Sequence, residues 1–313
     1  MSDTSRRILL LAHTGREEAR DVACEVVHAL RKHDIAVRLL SDEADELGLT
    51  EPEVEIVGGS DGNDAADGCE LAVVIGGDGT ILRAAEVTHA HGTPLLGVNL
   101  GHVGFLAESE SDDLEFTIDA IVTRRYTAED RLTIDVAVYR DGERVTSTWA
   151  LNEASVEKAA RERMLEVVVE VDGRPLSRWG CDGVVCATPT GSTAYNFSAG
   201  GPVVWPGVEA LLMVPISAHA LFARPLVVAP TSVLAVEVQA GSASAGVLWC
   251  DGRRMVELPP GARIEVRRGA TPVRLARLHS APFTDRLVAK FGLPVEGWRG
   301  AAQRRRKDNG GPV

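Results

Sequence analysis

The chain of 313 residues is long enough for two domains of ordinary size, and its hydrophobic fraction of 45% excludes an intrinsically disordered protein. A net charge of −12 argues against a general nucleic-acid-binding protein. No apolar run approaches the roughly 20 residues that a membrane helix needs. We therefore expect neither nucleic acid nor a membrane as a partner.

The cysteines and the cationic residues limit which kinds of site the chain can form. Five cysteines without C-x-x-C spacing favour free thiols over disulfides or a zinc site. The first apolar run, residues 8–12, is too short for a signal peptide, so we expect a cytoplasmic protein. Only four of the 33 cationic residues are lysines, and the phosphate-loop motif G-x-x-x-x-G-K-[ST] is absent.

Apolar periodicity predicts alternating strands and helices in the first part of the chain. Runs at residues 6–13 and 35–40 are typical of strands and flank an amphipathic helix at 17–33. This β-α-β order predicts an α/β domain with a Rossmann-like parallel sheet. The acidic segment 41–68 interrupts the order, and we predict a solvated, partly mobile excursion there.

A short uncharged run at residues 71–75 predicts a strand buried on both faces. It stops at the sequence GGDGT, residues 76–80, after which the spacing favours an amphipathic helix. Asp78 then lies at the carboxyl edge of the sheet, where α/β proteins bind ligands. Asp78 either caps the helix or belongs to a ligand site, and three glycines around one carboxylate favour the site.

The next predicted strand, residues 94–99, leads into a second glycine-rich loop at the same edge of the sheet. His102 in that loop is expected to be a loop residue rather than a catalytic base, because the sequence shows no partner for it. A helix is predicted at 112–124 and completes the α/β domain, residues 1–125.

From Tyr126 the pattern changes to short alternating runs that are separated by turn residues. Asp141-Gly142, for example, is a hairpin signal. We predict a β-rich, β-sandwich-like domain at 126–280. A helix within 281–303 is predicted to pack back on the first domain, and 304–313 to be a disordered tail.

Two polar stretches of the β-rich domain have the composition of ligand sites. The amide and carboxylate of Asn152-Glu153 suit ribose hydroxyls or a purine amino group, although the pair alone is also typical of a turn. Residues 188–198 offer backbone N–H and hydroxyl groups to phosphate or ribose. Their alternative role is a Ser/Thr turn that opens a helix.

Taken in this order, the motifs resemble the NAD kinase family over nearly the whole chain. The matching stretches are GGDGT at 76–80, Asn152-Glu153, TPTGSTAY at 188–195 and the run from His219 to Leu226. The GGDG motif also occurs in 6-phosphofructokinases and in diacylglycerol and sphingosine kinases. TPTGSTAY is much more specific to NAD kinases.

The resemblance implies an enzyme that phosphorylates the 2′-hydroxyl of the adenosine ribose of NAD to give NADP. The donor is ATP, another nucleoside triphosphate or polyphosphate. An α/β domain joined to a β-rich domain, NAD bound between them, and a homodimer or homotetramer are also implied. Two alternatives stay open: a lipid or sugar kinase of the wider GGDG group, and an NAD(P)-binding regulator without catalysis.

The resemblance assigns Asp78 as the catalytic residue and places Gly79 beside the nucleotide. It carries substrate contacts to Asn152, Glu153, Asp182, Thr193, Ala194, Tyr195, Asn196, Phe197 and Ser198. Arg163 aligns with a further NAD contact, and Arg83 is a candidate on its position and charge. Arg253 stands where many family members carry Gln, so that contact is not assigned.

The chemistry explains these roles. Phosphoryl transfer passes through a loose transition state, in which positioning and charge neutralisation matter more than a strong base. Asp78 can orient the 2′-hydroxyl and accept its proton late. Since no lysine lies near Asp78 in the sequence, a divalent cation, Mg²⁺, is the expected neutraliser of the triphosphate. No protein ligand to this metal is assigned.

Overall fold

The computed structural model describes residues 6–58, 64–101, 104–107, 109–110, 113–279 and 282–295. The predicted tail and His102 lie outside these residues. Within the described part of the chain, no helix combines the length and apolar character that crossing a membrane requires.

The structure begins with β1 (Arg7–Ala12), α1 (Glu17–Lys32), β2 (Ala36–Leu40), α2 (Ser41–Leu47), β3 (Glu55–Val57), β4 (Leu71–Ile75), α3 (Asp78–Thr88), β5 (Leu95–Asn99), β6 (Ser109–Glu110), α4 (Leu114–Val122) and β7 (Thr127–Arg131). It continues with β8 (Ile134–Arg140), β9 (Glu143–Ala150), β10 (Glu153–Lys158), β11 (Leu165–Val171), β12 (Arg174–Cys181), β13 (Gly183–Ala187), α5 (Tyr195–Ser198), β14 (Leu211–Ile216), β15 (Leu226–Val228), β16 (Leu234–Val238), β17 (Gly246–Cys250), β18 (Arg254–Leu258), β19 (Arg263–Arg268), β20 (Val273–Arg277) and α6 (Phe283–Phe291). Short 3₁₀ turns lie at His89–His91 and Gly191–Thr193.

The first sheet has the strand order β3-β2-β1-β4-β5-β20-β7, and β6 pairs with β5. Its pairs are parallel except for β20 with β7. One face packs on α1, α2 and α4, and the other face packs on α3. Every residue of β4 is buried because helices cover both faces, as its uncharged sequence predicts.

The strand order creates a ligand-binding position. From β1 the chain proceeds to β2 and β3 on one side, and then to β4 and β5 on the other. The order therefore reverses between β1 and β4, and α/β sheets bind ligands outside the carboxyl ends of strands at such a point. The loops at 13–16 and 76–80 follow these two strands.

The second domain is a β-sandwich of two six-stranded sheets, with the orders β15-β14-β13-β10-β17-β18 and β12-β11-β16-β19-β8-β9. Inward-facing residues of both sheets share one core around Trp179. The Trp179 indole is fully buried and donates a hydrogen bond to the carbonyl oxygen of Phe222 at 2.9 Å. The predicted fold class, an α/β domain with a β-rich, sandwich-like domain, is confirmed.

Two strands of the predicted β-rich segment belong to the first sheet instead. β20 pairs in parallel with β5 through Leu275 and Leu95, and β7 pairs with β20 in antiparallel orientation. The chain thus enters the sandwich after β7 and leaves it before β20. Periodicity identifies a strand but not its sheet, because pairing depends on residues that are distant in the sequence.

The acidic segment 41–68, which we predicted to be a solvated excursion, contains α2 and β3. Glu43 of α2 is only 2% exposed and is paired with Arg83 of α3. Glu55 of β3 lies 2.6 Å from Arg7 of β1. These carboxylates connect the segment to arginines of neighbouring elements, and Ala44, Leu49 and Val54 of the same segment are buried in the core.

The last helix contacts both domains. The Phe283 ring of α6 lies 5.9 Å from that of Phe105 in the first domain and 5.2 Å from that of Trp205 in the second. At the other end of α6, the Phe291 ring stacks on Phe197 at 4.6 Å. The helix therefore lies beside the loops that follow β5 and β13.

Candidate active site

Asp78 is the first residue of α3, directly after the buried strand and two glycines. Gly77 occupies the N-cap position, and no side-chain hydrogen bond from the described residues caps the helix. Instead, Asp78 Oδ2 accepts a hydrogen bond from the backbone N–H of Phe105, and Oδ1 accepts one from that of Leu106, both at 3.1 Å. The capping alternative is therefore wrong, and the carboxylate is anchored to the second glycine-rich loop.

Two glycines permit this approach of the loops. Gly76 has a φ of +150°, and a Cβ there would lie 2.6 Å from Thr80 Oγ1. A Cβ at Gly104 would lie 2.5 Å from Asp78 Oδ1. Both positions therefore need glycine for the carboxylate to keep its place.

A cavity of about 530 Å³ opens at the switch point in front of Asp78. It is lined by the loops after β1 and β4 and by four cationic side chains, Arg16, Arg83, Arg253 and Lys290. Asp78 is the single carboxylate among the described lining residues. An excess of cations around one carboxylate suits a substrate that carries several phosphates.

Three of these cations were not predicted. Lys290 reaches the cavity from α6, a tertiary contact that the local sequence around Asp78 does not reveal. Arg16 follows β1, so the switch-point rule was a signal that could have found it. Arg253 occupies a position where many family members carry a Gln that contacts the substrate. Because the residue differs here, that contact was not assigned to Arg253.

Arg83 lines the cavity beside these cations. Its Nη2 donates a hydrogen bond to the carbonyl oxygen of Ala12 at 3.2 Å, and its guanidinium is paired with Glu43. Burial, and then the positive charge of Arg253, lower the pKa of Arg83. The buried carboxylate of Glu43 thus orients a cation toward the cavity.

The Asn152-Glu153 pair lies where β9 passes into β10, and both residues are buried. A single carboxylate, that of Asp251, holds this turn. It accepts hydrogen bonds from the backbone N–H groups of Leu151 at 3.0 Å, Asn152 at 2.7 Å and Glu153 at 3.4 Å. Asp251 is a positioning residue that the sequence analysis did not identify.

The same carboxylate connects the turn to the helix of Asp78. Arg254 donates a hydrogen bond to Asp251 at 2.8 Å, and its Nε lies 3.2 Å from Glu86 of α3. Glu86 also accepts a hydrogen bond from Arg253 at 3.1 Å. The Arg254 guanidinium lies 4.6 Å above the Trp149 ring, which adds a cation–π contact.

Glu153 is a carboxyl group in an apolar environment. Its Oε2 is buried and has no hydrogen-bond partner among the described residues. Burial, and then the nearby Asp251 carboxylate, raise the pKa of Glu153 to about 8, although the backbone N–H of Tyr195 opposes the shift. Near neutral pH the side chain is therefore mainly a neutral acid that can both donate and accept.

The loop at 188–198 packs directly on this turn. Thr188 donates from Oγ1 to the carbonyl oxygen of Leu151 at 2.6 Å and from its backbone N–H to that of Asn152 at 2.9 Å. A Cβ at Gly191 would lie 2.0 Å from the Asn152 carbonyl oxygen. The threonine and glycine of the TPTGSTAY motif thus join two predicted substrate loops.

Within this loop, the side chain of Asn196, a predicted substrate contact, is turned toward the protein. Its side chain is 0% exposed, and its Nδ2 donates to the carbonyl oxygens of Ser192 and Pro202, both at 3.2 Å. The amide therefore faces the protein and holds the loop in shape. The neighbouring predicted residues Thr193, Ala194, Tyr195, Phe197 and Ser198 are half-buried or exposed.

Comparisons with known proteins identify the family of this chain. The family model of the ATP-NAD kinase N-terminal domain matches residues 8–126, and that of the ATP-NAD kinase C-terminal domain matches 151–278. The chain belongs to the NAD kinase family.

Relatives in this family match along most of their length. NAD kinase 2 of Streptomyces avermitilis is 64% identical over 297 residues, covering 95% of this chain and 98% of the relative. The NAD kinase of Thermobifida fusca is 62% identical over 309 residues, covering 96% and 94%.

Two solved structures share the fold. Yeast NADH kinase complexed with NADH has a TM-score of 0.83 at 24% identity, over 95% of this chain and 90% of that one. An NAD kinase from Archaeoglobus fulgidus in complex with ATP has a TM-score of 0.67 at 24% identity, over 91% and 98%.

Of the site residues assigned from the NAD kinase resemblance, Asp78, Gly79 and Arg83 line the switch-point cavity. Asn152, Glu153 and residues 193–198 are not among its described lining residues and lie in the two loops that Thr188 joins.

Asp182 and Arg163 also lie outside the cavity. Asp182 precedes β13, whereas the loop at 188–198 follows it, so the two lie at opposite ends of the strand. Asp182 Oδ1 is 2.5 Å from Lys158 Nζ, and this contact lowers the pKa of Asp182. Arg163 is exposed and donates to the carbonyl oxygen of Ala243 at 3.1 Å.

The donor set of the site bears on the metal that NAD kinase chemistry implies. Within the described residues, no three His, Cys, Asp or Glu side chains come together to hold an ion. Among the described residues that line the cavity, Asp78 is the one carboxylate. This fits Mg²⁺ held mainly by substrate phosphates and water, which is its usual mode in phosphoryl-transfer sites.

The raised pKa of Glu153 predicts a pH-dependent stability. Between the model-peptide value of 4.5 and about 8, the folded protein keeps a proton that the unfolded chain releases. The stabilisation is complete below this range and is lost as the pH rises through it. Glu153→Gln imitates the neutral acid at every pH. The free energy of unfolding of the variant should therefore rise relative to that of the wild type as the pH rises through this range, by up to about 1.4 kcal/mol per pH unit.

Urea unfolding of wild type and variant from about pH 5 to about pH 9 measures this difference. Glu257→Gln, at an exposed position of β18, is the matched control. An equal pH dependence in both variants would contradict the assignment.

Proposed function

We propose that the chain transfers the terminal phosphoryl group of ATP to the 2′-hydroxyl of the adenosine ribose of NAD, the step that makes NADP. The observation that carries this proposal is the carboxylate of Asp78, held by two backbone N–H groups beside a cavity with four cationic side chains. Relatives at 64% identity that are named NAD kinase support the acceptor. The ATP complex of the Archaeoglobus fulgidus structure supports the donor.

In the proposed reaction, Asp78 orients the 2′-hydroxyl and accepts its proton as the oxygen attacks the γ-phosphorus. The bond from the γ-phosphorus to the bridging oxygen breaks, and ADP leaves with the electron pair. Because the transition state is loose, the fixed position of Asp78 matters more than its basicity. The two N–H donors from the Phe105 loop supply that position.

The cations of the cavity have a separate role in this proposal. Arg16, Arg83, Arg253 and Lys290 neutralise the donor phosphates. A divalent cation, Mg²⁺, would add charge neutralisation, and Asp78 would be the protein carboxylate able to hold it, together with the substrate phosphates. The protein thus shares with Mg²⁺ the neutralisation of the phosphates, which the sequence had predicted for the metal alone.

The acceptor is held by the loops of the sandwich. As a neutral acid, Glu153 can donate to one ribose hydroxyl and accept from another, and Asn152 adds an amide. Thr193, Ala194 and Tyr195 belong to the adjoining loop at 188–198, and Tyr195 offers a ring for stacking. Gly79 is exposed at the start of α3, where it leaves room for the substrate to approach.

The alternatives are less well supported. Family membership along both domains favours NAD over a lipid or a sugar as acceptor. A regulator without catalysis would have no use for a carboxylate anchored by two N–H groups within a cationic cavity.

The role of Asp78 predicts that Asp78→Asn abolishes turnover and leaves NAD binding within about twofold, because the amide cannot take the proton but keeps the size of the side chain. NADP formation and NAD binding by calorimetry measure the two effects. Asp67→Asn, at a largely exposed position, is the control. Unchanged turnover in the Asp78 variant would refute the assigned role.

The role of Lys290 predicts a selective loss of donor affinity. Lys290→Met should raise the KM for ATP about tenfold or more, the effect of losing a charge-assisted hydrogen bond, without a comparable change in the KM for NAD. Lys32→Met, in the last turn of α1, is the control. A rise in the KM for NAD alone would contradict the placement, and the same assay with polyphosphate compares the donors.

We further propose a homodimer or homotetramer in the cytoplasm. Five free thiols suit a reducing compartment. Asp182 and Arg163 lie at the end of β10 and β13 that is opposite to the Asn152 turn, where a neighbouring copy can use them. In this arrangement, Asp182 completes the NAD site of the partner rather than its own.

This arrangement predicts complementation between two inactive variants. Asp78→Asn and Asp182→Ala should each have little activity alone. After joint refolding, a mixed dimer holds one complete site, so about a quarter of the wild-type activity should return at equal amounts. Gel filtration or light scattering confirms the assembly, and no recovery in a mixed oligomer would place Asp182 in its own site.

A further inference from the structure

A second cavity, of about 750 Å³, lies between α6, β7 and β20. Five arginines line it: Arg124, Arg125, Arg131, Arg277 and Arg286. Glu129 is the single carboxylate among the described lining residues. The volume is that of a small-molecule site. Arg124 and Arg125 pair with Glu70 and Asp119, which are not among the described lining residues. Glu129 then faces the guanidinium groups of Arg131, Arg277 and Arg286, and this excess of positive charge favours an anionic occupant.

Arg131 is the buried centre of this cluster. Its side chain is 7% exposed, and its Nε is buried without a hydrogen-bond partner among the described residues. Its Nη2 donates to Glu129 at 3.0 Å, and the same carboxylate oxygen accepts from Arg277 Nε at 2.9 Å. One carboxylate therefore serves two guanidinium groups.

The electrostatics agree with this geometry. Burial, and then the positive charge of Arg277, lower the pKa of Arg131 to about 10. Arg286 adds to this repulsion. A buried donor without a partner carries a desolvation cost that a bound anion would remove.

Aromatic rings form another wall of the cavity. Trp205 is 49% exposed, and its ring packs edge-on against Phe283 at 5.2 Å. Phe105 and Tyr126 also line the cavity. Such a wall suits a flat ring on the ligand.

We propose that this cavity binds a phosphorylated nucleoside, with the phosphate on Arg131 and the base against Trp205. Guanidinium groups are the side chains best suited to bidentate phosphate recognition. A phosphate alone would use only the arginines, and an uncharged ring would use only the aromatic wall. A nucleoside phosphate uses both walls.

This site is distinct from the cavity in front of Asp78, because the two share no described lining residue. They adjoin at the loop that follows β5, where Gly104 lines the first cavity and Phe105 the second, and along α6, where Lys290 lines the first and Arg286 the second. Arg286 Nη1 donates to the carbonyl oxygens of Phe105 at 3.1 Å and Ala107 at 2.9 Å.

The test uses adenosine 5′-monophosphate as the probe, titrated by calorimetry into the full chain. Saturating NAD, Mg²⁺ and a non-hydrolysable ATP analogue keep the Asp78 cavity filled. We expect binding to the wild type and at least about tenfold weaker binding to Arg131→Gln, since a charge-assisted phosphate contact is lost. Arg178→Gln, at an exposed position of β12 outside the lining of both cavities, should bind the probe like the wild type.

Further arms identify which part of the probe is recognised. Trp205→Ala, at an exposed position, should weaken binding of the monophosphate and leave binding of inorganic phosphate unchanged. This variant keeps the test valid if Arg131→Gln does not fold. Adenosine should bind more weakly than its monophosphate by at least about tenfold.

Three results would overturn the proposal. They are the absence of binding to the substrate-loaded wild type, equal weakening by Arg131→Gln and Arg178→Gln, and inorganic phosphate that binds as tightly as the monophosphate. None of them depends on NADP formation, so the outcome is separate from that of the kinase assays.

Discussion

The carboxylate of Asp251 is the constraint on which the arrangement of the two domains around the site depends. Three consecutive backbone N–H groups of the Asn152 turn donate to it, and Arg254 connects it to Glu86 of α3. The helix that begins at Asp78 and the turn that carries Asn152-Glu153 therefore hold one relative position. Without this carboxylate, three buried donors would lose their partner, at a cost of about 1–3 kcal/mol each.

The chain is rich in arginine, and carboxylates orient several of the arginine side chains. Glu43 is paired with Arg83, Glu86 with Arg253 and Arg254, and Glu129 with Arg131 and Arg277. At two cavities the guanidinium groups outnumber the carboxylates among the described lining residues. The protein as a whole carries a net charge of −12, so its positive regions are local and suited to small anions rather than to nucleic acid.

Much of the fold and part of the site follow from local patterns. The uncharged run of β4 predicted a strand buried on both faces, and the glycines around Asp78 predicted a close approach of loops. The sheet of β7 and β20 could not be predicted, because each strand is assigned by a partner far away in the chain. The burial of Asn196 was missed for the same reason: its partners, rather than its own identity, turn the amide inward.

The sequence by itself determined the family, the two kinds of domain and the position of Asp78 at the carboxyl edge of the first sheet, because these depend on motifs and periodicities that are local. Tertiary structure decided which distant cations join Arg83 around Asp78. Lys290 arrives on the last helix, and Arg253 arrives on a hairpin of the sandwich. It also decided the protonation of Glu153, since a pKa depends on burial and on charges that the fold brings near.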